Sequence, residues 1–158
     1  MRRNLSALLR LSLAVLVVTL FVAGNAGASC TNTINGTDNN DTLYGTSAND
    51  CIYGNGANDI IFGYGGDDEL YGGALCTYCT SDRDHIYGGD GNDYIDGWVD
   101  NDDLLGEAGN DSIYGFQGDD DIYGGDGDDY INGEGGSDFA DGGAGTDTCY
   151  AESTVNCP

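Results

Sequence analysis

The sequence predicts an all-β protein, folded as a parallel β-solenoid of about six stacked coils. Three observations favour this fold. The chain repeats with a period of nine over residues 36–150, each repeat carries one aliphatic side chain at a fixed place, and glycine and aspartate fill most of the other places. Glycine and aspartate favour turns, so each repeat is predicted to be one short strand and one turn.

Residues 1–28 have the features of a secretory signal peptide. Arg2 and Arg3 precede an apolar run over residues 11–23, and residues 26–28 read Ala-Gly-Ala, which is a typical cleavage pattern. The length of the apolar run leaves a membrane anchor as the alternative. We expect cleavage after Ala28 and secretion of the mature chain, whose residues 29–35 form a short N-terminal cap segment.

The charge of the mature chain excludes several classes of partner. All 28 acidic residues follow residue 28, where Arg83 is the single basic residue, so residues 29–158 carry a net charge of −27. Nucleic acids and acidic membranes would repel such a chain, and we expect neither nucleic-acid binding nor membrane insertion. Its own charges also oppose folding. Metal ions are the obvious cations to neutralise them.

An aspartate and an aliphatic residue recur in register along the repeats. Twelve aspartates occupy the sixth place of successive repeats: Asp41, Asp50, Asp59, Asp68, Asp84, Asp93, Asp102, Asp111, Asp120, Asp129, Asp138 and Asp147. Two residues after each stands Leu43, Ile52, Ile61, Leu70, Ile86, Ile95, Leu104, Ile113, Ile122, Ile131, Ala140 or Cys149. Five residues before each stands glycine, except that Cys79 precedes Asp84. The longer step from Asp68 to Asp84 indicates seven inserted residues, at about 73–79.

The repeat resembles the nonapeptide of a known family. Residues 88–96, GGDGNDYID, and residues 124–132, GGDGDDYIN, match G-G-x-G-x-D-x-U-x at every defined position. This nonapeptide is typical of repeats-in-toxin (RTX) proteins, in which it binds calcium. The resemblance implies a right-handed parallel β-roll, with calcium held between consecutive turns by the twelve aspartates given above.

Physical chemistry also favours calcium. Two repeats form one coil of eighteen residues, so stacking places each aspartate beside the aspartate two repeats away. Carboxylates this close cannot all stay ionised without a cation. Calcium takes six to eight oxygen ligands in tolerant geometry, whereas magnesium demands a tight octahedron. The intervals between coils allow at most about ten calcium ions.

The predicted sites differ in quality. The turn from Cys79 to Asp84 lacks glycine and carries Arg83, which predicts weak or empty sites there. Asn39, Ala48 and Ala57 replace a motif glycine in the first repeats, so the best sites are expected between residues 88 and 147. One inward aliphatic residue per repeat makes a thin core, and folding should therefore require the metal.

The last place of each repeat points outward and is rich in aromatic residues. One predicted face reads Tyr44, Phe62, Tyr87, Leu105 and Tyr123 before it ends in Asp141, and the other reads Tyr53, Tyr71, Asp96, Tyr114, Asn132 and Tyr150. Such columns stiffen a sheet through contacts between neighbouring strands. The first column is also a candidate docking strip for a glycan or a protein partner.

Six cysteines in an exported chain predict up to three disulfides, with fifteen pairings open. Positions in the roll favour Cys30–Cys51 at its start and Cys149–Cys157, where the bond would fold residues 151–158 over its end. Cys76 and Cys79 would then close a small loop in the insertion. A zinc site at this C-x-x-C is the alternative.

These observations predict a secreted, non-catalytic calcium-binding protein that acts as a structural or recognition module. Catalysis is not expected, because RTX rolls accompany enzymes only as appendages and His85, the single histidine, has no supporting catalytic motif. The alternatives are an accessory or truncated module of a secreted RTX-type enzyme, and an ice-binding roll that uses the recurring asparagines Asn40, Asn49, Asn58, Asn92, Asn101 and Asn110.

Overall fold

A computed structural model describes residues 30–73 and 83–157, which form an all-β parallel solenoid. The described residues contain fourteen strands and no helix. In chain order these are β1 (Asn32–Asn35), β2 (Thr42–Tyr44), β3 (Asp50–Asn55), β4 (Ile60–Gly65), β5 (Glu69–Gly73), β6 (His85–Asp90), β7 (Tyr94–Asp96), β8 (Asp103–Ala108), β9 (Ser112–Gln117), β10 (Asp121–Asp126), β11 (Tyr130–Gly135), β12 (Phe139–Ala144), β13 (Thr148–Tyr150) and β14 (Ser153–Val155). A helix long and apolar enough to cross a membrane is accordingly absent from these two ranges.

The strands alternate between two sheets of seven strands each. The odd sheet contains β1, β3, β5, β7, β9, β11 and β13 in that order, and the even sheet contains β2 through β14 in the same manner. Every pair of neighbours is parallel, and in most pairs the partners lie eighteen residues apart, as in Ile113↔Ile131. Two repeats therefore make one coil, and twelve repeats make about six coils, as the sequence predicts.

The insertion lengthens one turn without disturbing the register. Across it the partners are 25 residues apart, as in Ile61↔Ile86 and Leu70↔Ile95, which is one coil plus seven residues. Gly72 faces Asp84 in the way that other opening glycines face their aspartates, since a Cβ on Gly72 would meet the Asp84 side chain. Cys79, which the sequence places five residues before Asp84, and most of the predicted insertion at about 73–79 lie outside the described residues.

The core is a single line of aliphatic side chains between the two sheets. The predicted inward residues from Ile52 to Ala140 are fully buried. Leu43 and Cys149 pack partly buried against the two ends of this line, as do Ile34 and Ala151. Ile34 belongs to β1, so the segment predicted as a cap adds one more strand to the odd sheet. At the other end, β14 adds one strand of the tail to the even sheet.

Disulfides fix both ends of the roll. Cys30 is bonded to Cys51 of β3, with 5.5 Å between their Cα atoms. Cys149 of β13 is bonded to Cys157, with 5.8 Å between their Cα atoms, and this bond holds β14 near the last coil. Both pairings confirm the sequence-based expectation. The predicted Cys76–Cys79 bond, its zinc alternative and the signal peptide lie outside the described residues.

The glycine that opens each repeat is required because two oxygen atoms approach it. A Cβ placed on Gly88 would lie 2.5 Å from Asp93 Oδ2 and 2.6 Å from the carbonyl oxygen of Gly106 in the next coil. Real Cβ atoms do not come this close to oxygen. The same oxygen pair faces the opening glycines Gly54, Gly63, Gly106 and Gly124.

We predict that Gly88→Ala destabilises the calcium-loaded roll by more than about 2 kcal/mol, because the methyl group displaces a carboxylate or a neighbouring coil. Gly65→Ala is the matched control, since its Cβ would have no neighbour nearer than 3.6 Å. It should change the free energy of unfolding by less than about 1 kcal/mol. Equal losses for the two variants in thermal or urea unfolding would contradict the steric explanation.

Candidate metal centres

The twelve predicted aspartates line the two edges of the roll as two ladders. Asp41 is half-buried, and the other eleven are buried. In each ladder the backbone N–H of one aspartate donates to Oδ1 of the aspartate one coil later, over 2.7 to 3.0 Å. One ladder joins Asp41, Asp59, Asp84, Asp102, Asp120 and Asp138, and the other joins Asp50, Asp68, Asp93, Asp111, Asp129 and Asp147. The stacking predicted from the nine-residue period is thus observed.

Each ladder aspartate is one rung of its ladder. The second carboxylate oxygen, Oδ2, has no hydrogen-bond partner in most rungs. Oδ2 is buried and accepts no hydrogen bond in Asp68, Asp93, Asp111, Asp120, Asp129, Asp138 and Asp147. A buried charged oxygen without a partner is strongly unfavourable, because it has lost its water. These seven atoms therefore mark places where a proton or a cation must be supplied.

Backbone carbonyl oxygens approach the same turns. A Cβ on Gly127 would meet the carbonyl oxygen of Gly109, and one on Gly145 would meet that of Gly127. These two turns thus offer carboxylate and carbonyl oxygens. Hard oxygen donors of this kind suit calcium better than zinc or copper.

Burial changes the proton affinity of the ladder. It raises the pKa of Asp93 to about 7 and the pKa values of Asp68, Asp111 and Asp120 to about 6. Repulsion from a neighbouring rung adds to this effect, as that of Asp111 does for Asp93. The hydrogen bond from the preceding rung opposes it but is the smaller effect.

The first two turns are built differently. Asp41 Oδ2 accepts from the Thr37 backbone N–H (2.6 Å) and hydroxyl (2.8 Å), and Asp50 Oδ2 accepts from the same two groups of Thr46 (2.5 and 3.0 Å). Threonine here replaces the second motif glycine. The two carboxylates are therefore satisfied inside their own turns. The sequence analysis treated these repeats as defective but did not identify the threonines as substitute partners.

Later turns keep the RTX-like geometry even without the second glycine. The residue in the second position of these repeats has a positive φ. Glycine fills it in Gly89, Gly125 and Gly143, and other residues fill it with φ between 65° and 82° in Asn55, Tyr64, Trp98, Glu107, Phe116 and Glu134. The left-handed conformation is unfavourable for these side chains. The turn geometry is thus imposed by the stacked coils rather than by local preference.

Four of the recurring asparagines also accept hydrogen bonds between coils. The backbone N–H of Asp67 donates to Asn49 Oδ1, that of Asn110 to Asn92, that of Asp119 to Asn101 and that of Asp128 to Asn110. These amide oxygens point at a neighbouring coil, which gives the asparagine row an internal role and weakens the ice-binding interpretation.

Arg83 and His85 lie beside the ladders rather than in them. Arg83 Nη2 contacts both carboxylate oxygens of Asp103 at 2.9 and 3.0 Å, and His85 Nδ1 lies 2.7 Å from Asp103 Oδ2. Asp84 keeps its place in the ladder. Arg83 thus neutralises an outward aspartate.

Other side chains take the place of aspartate at the two ends of the ladders. Asn32 donates its side-chain amide to Asp50 Oδ1, and Glu152 Oε2 accepts the Asp138 backbone N–H over 3.0 Å. The nine-residue motif does not predict either residue, because neither is an aspartate at the sixth position of a repeat.

Aromatic rings cover both outer faces. On the even sheet Phe62 stacks between Tyr44 and Tyr87, with centroids 5.4 and 4.9 Å away, while Tyr123 contacts Phe139 instead. On the odd sheet a continuous row runs through Tyr53, Tyr71, Tyr94, Tyr114, Tyr130 and Tyr150, with centroids 4.9 to 5.8 Å apart. The sequence analysis missed Tyr94 and Tyr130, since they occupy the seventh rather than the ninth place of their repeats.

Comparison with protein families decides the relationship. The RTX calcium-binding nonapeptide repeat, in blocks of four copies, matches residues 31–61, 44–74, 80–113, 99–131 and 114–149. The chain belongs to the RTX repeat family. No curated protein and no solved structure matches it. The family match and the aspartate ladders together identify an RTX roll of the type that binds calcium.

The raised pKa values predict acid stabilisation of the calcium-free roll. Folded Asp93 titrates near pH 7, whereas an unfolded aspartate titrates near pH 4. The stabilising effect is therefore complete below about pH 4 and is lost as the pH rises through about 6 to 7. In chelator, circular dichroism should show the β-roll near pH 4 and an unfolded chain near pH 8. A chelated chain whose fold is independent of pH would contradict this.

Proposed function

We propose that this RTX roll is a secreted protein that folds when calcium binds between its turns and serves as a structural or recognition module outside the cell. The row of buried Oδ2 atoms without partners carries the proposal. The sequence after residue 28 has only Arg83 to neutralise 28 acidic residues, and Arg83 is bonded to Asp103. Calcium supplies the missing positive charge and accepts carboxylate and carbonyl oxygens together.

We place the strongest sites on the rungs with free Oδ2 atoms. These include Asp93, Asp111, Asp129 and Asp147 on one edge and Asp120 and Asp138 on the other. Asp59, Asp84 and Asp102 complete the ligand set as members of the same ladder. Asp41 and Asp50 are the weakest candidates of the twelve, because threonines already bond their Oδ2 atoms.

An extracellular location agrees with the two described disulfides and with the signal peptide predicted at residues 1–28. Disulfides persist in oxidising compartments, and calcium at millimolar concentration favours a module that folds outside the cell. The same features fit an accessory module of a secreted RTX-type enzyme, which is the second candidate role.

The even-sheet column remains our candidate docking strip for a glycan or a protein. Tyr44 and Tyr123 are 56% and 41% exposed, while Phe62, Tyr87 and Leu105 are half-buried between them. Close ring stacking from Tyr44 to Tyr87 also supports a purely structural column.

Calcium titration at neutral pH tests the proposal. We expect the chelated protein to lack β-structure and to gain it cooperatively as calcium is added, whereas magnesium at the same concentration should have little effect. Circular dichroism measures the folding, and calorimetry measures the number of ions. Full β-structure in excess chelator at pH 7.5 would contradict the proposal.

Two aspartate variants test where the ions bind. Asp111→Asn removes a charge from a rung with a free Oδ2, so it should raise the calcium midpoint of folding several-fold and reduce the number of bound ions. Asp41→Asn is the matched control, because Thr37 already bonds that carboxylate, and it should leave the midpoint nearly unchanged. Equal effects of the two substitutions would refute this distribution of sites.

A further inference from the structure

Asp96 is a buried carboxylate outside both ladders. It ends β7 on the outer face of the odd sheet, in register between Tyr71 and Tyr114. Only 6% of the residue is exposed, and its Oδ1 has no hydrogen-bond partner. The Trp98 backbone N–H and the Tyr94 hydroxyl act to lower the pKa of this carboxyl group, but Oδ1 itself has no partner. Neither the core nor the calcium turns require such a group here.

Aromatic residues neighbour this carboxylate on the odd sheet. The Tyr94 ring lies 5.7 Å from that of Tyr71 and 5.4 Å from that of Tyr114, measured between centroids. Trp98 follows two residues after Asp96, and the adjoining bridge Val99↔Gln117 holds this segment against β9. Aromatic faces attract cations, and more strongly where water is excluded.

The surroundings are negative as well as aromatic. Glu69 contacts the Tyr71 hydroxyl, and the charge of Glu134 acts on Asp96 and Tyr94. Burial raises the pKa of Asp96 to about 6, so the carboxyl group is mainly ionised at neutral pH. Arg83, the one arginine or lysine in the described ranges, is bonded to Asp103 of the even sheet.

We propose that Asp96, Tyr94, Trp98 and Tyr114 form a binding site for the ammonium group of a lysine side chain on a basic partner. A single unsatisfied oxygen suits a compact ammonium group, whereas the planar fork of arginine is best matched by two free carboxylate oxygens. Calcium fits poorly, because it needs six to eight oxygen ligands. Because Oδ1 is buried, neighbouring atoms must move aside for the ammonium group to reach it.

The test uses the intrinsic fluorescence of Trp98, the only tryptophan in the sequence. The calcium-loaded protein is titrated with N-acetyl-lysine methylamide, with its neutral norleucine analogue and with the arginine analogue, all at constant ionic strength. We expect a saturable change with the lysine compound, at least tenfold weaker binding of the arginine compound, and none with norleucine.

Asp96→Asn should weaken lysine binding at least tenfold while the protein still folds with calcium. Asparagine is tolerated at this place, since Asn132 occupies it in β11. Asp141→Asn is the matched control, because Asp141 is an outward aspartate of the even sheet whose Oδ1 accepts hydrogen bonds from the Gly143 backbone N–H and the Asn156 side-chain amide. It should bind lysine like the parent protein.

Several outcomes would overturn the site. These are no saturable change with the lysine compound, an equal response to norleucine, or equal affinity in Asp96→Asn. Arginine binding as tight as lysine binding would reject the ammonium preference. A loss of one bound calcium ion in Asp96→Asn would assign the carboxylate to metal instead. Because calcium-dependent folding is measured separately by circular dichroism, failure here leaves the calcium proposal intact.

Discussion

The hydrogen bond from the backbone N–H of one ladder aspartate to Oδ1 of the next is the interaction on which the roll depends. It draws each carboxylate into the space between coils and fixes its orientation. Burial then leaves the second oxygen of rungs such as Asp111 without water or a donor. The geometry that joins the coils therefore also leaves carboxylate oxygens that need a proton or a cation, which is the physical basis of the proposed coupling between folding and calcium binding.

The same arrangement explains the composition. Two oxygens approach the opening glycine of a repeat such as Gly88, so no larger residue fits there. One aliphatic line from Ile52 to Ala140 forms the fully buried core between the two sheets. The second glycine place is freer, and Trp98 and Phe116 adopt the left-handed conformation there because neighbouring coils hold them in it.

The nine-residue period was enough to predict the solenoid, both ladders, the buried line and two disulfides, because each follows from which residues recur in register. The rest depends on single contacts that a period does not encode. Thr37 and Thr46 bond aspartates through a local turn that differs from the motif. Tyr94 joins the aromatic row through a diagonal contact between strands. Likewise, the nine-residue period does not reveal that Gly72 faces Asp84 across the inserted residues, because that contact depends on how the coils stack.

Pairing at a distance of eighteen residues also limits how the chain can change in length. Adding or removing two whole repeats would return every later strand to its own sheet and every rung to its own edge. A change of one repeat would exchange the two faces for the entire remainder of the chain, moving the tyrosine row of the odd sheet onto the even one. Such a roll is therefore expected to have grown or shortened by pairs of repeats, whereas the seven extra residues between Gly72 and Asp84 leave the register of both sheets unchanged.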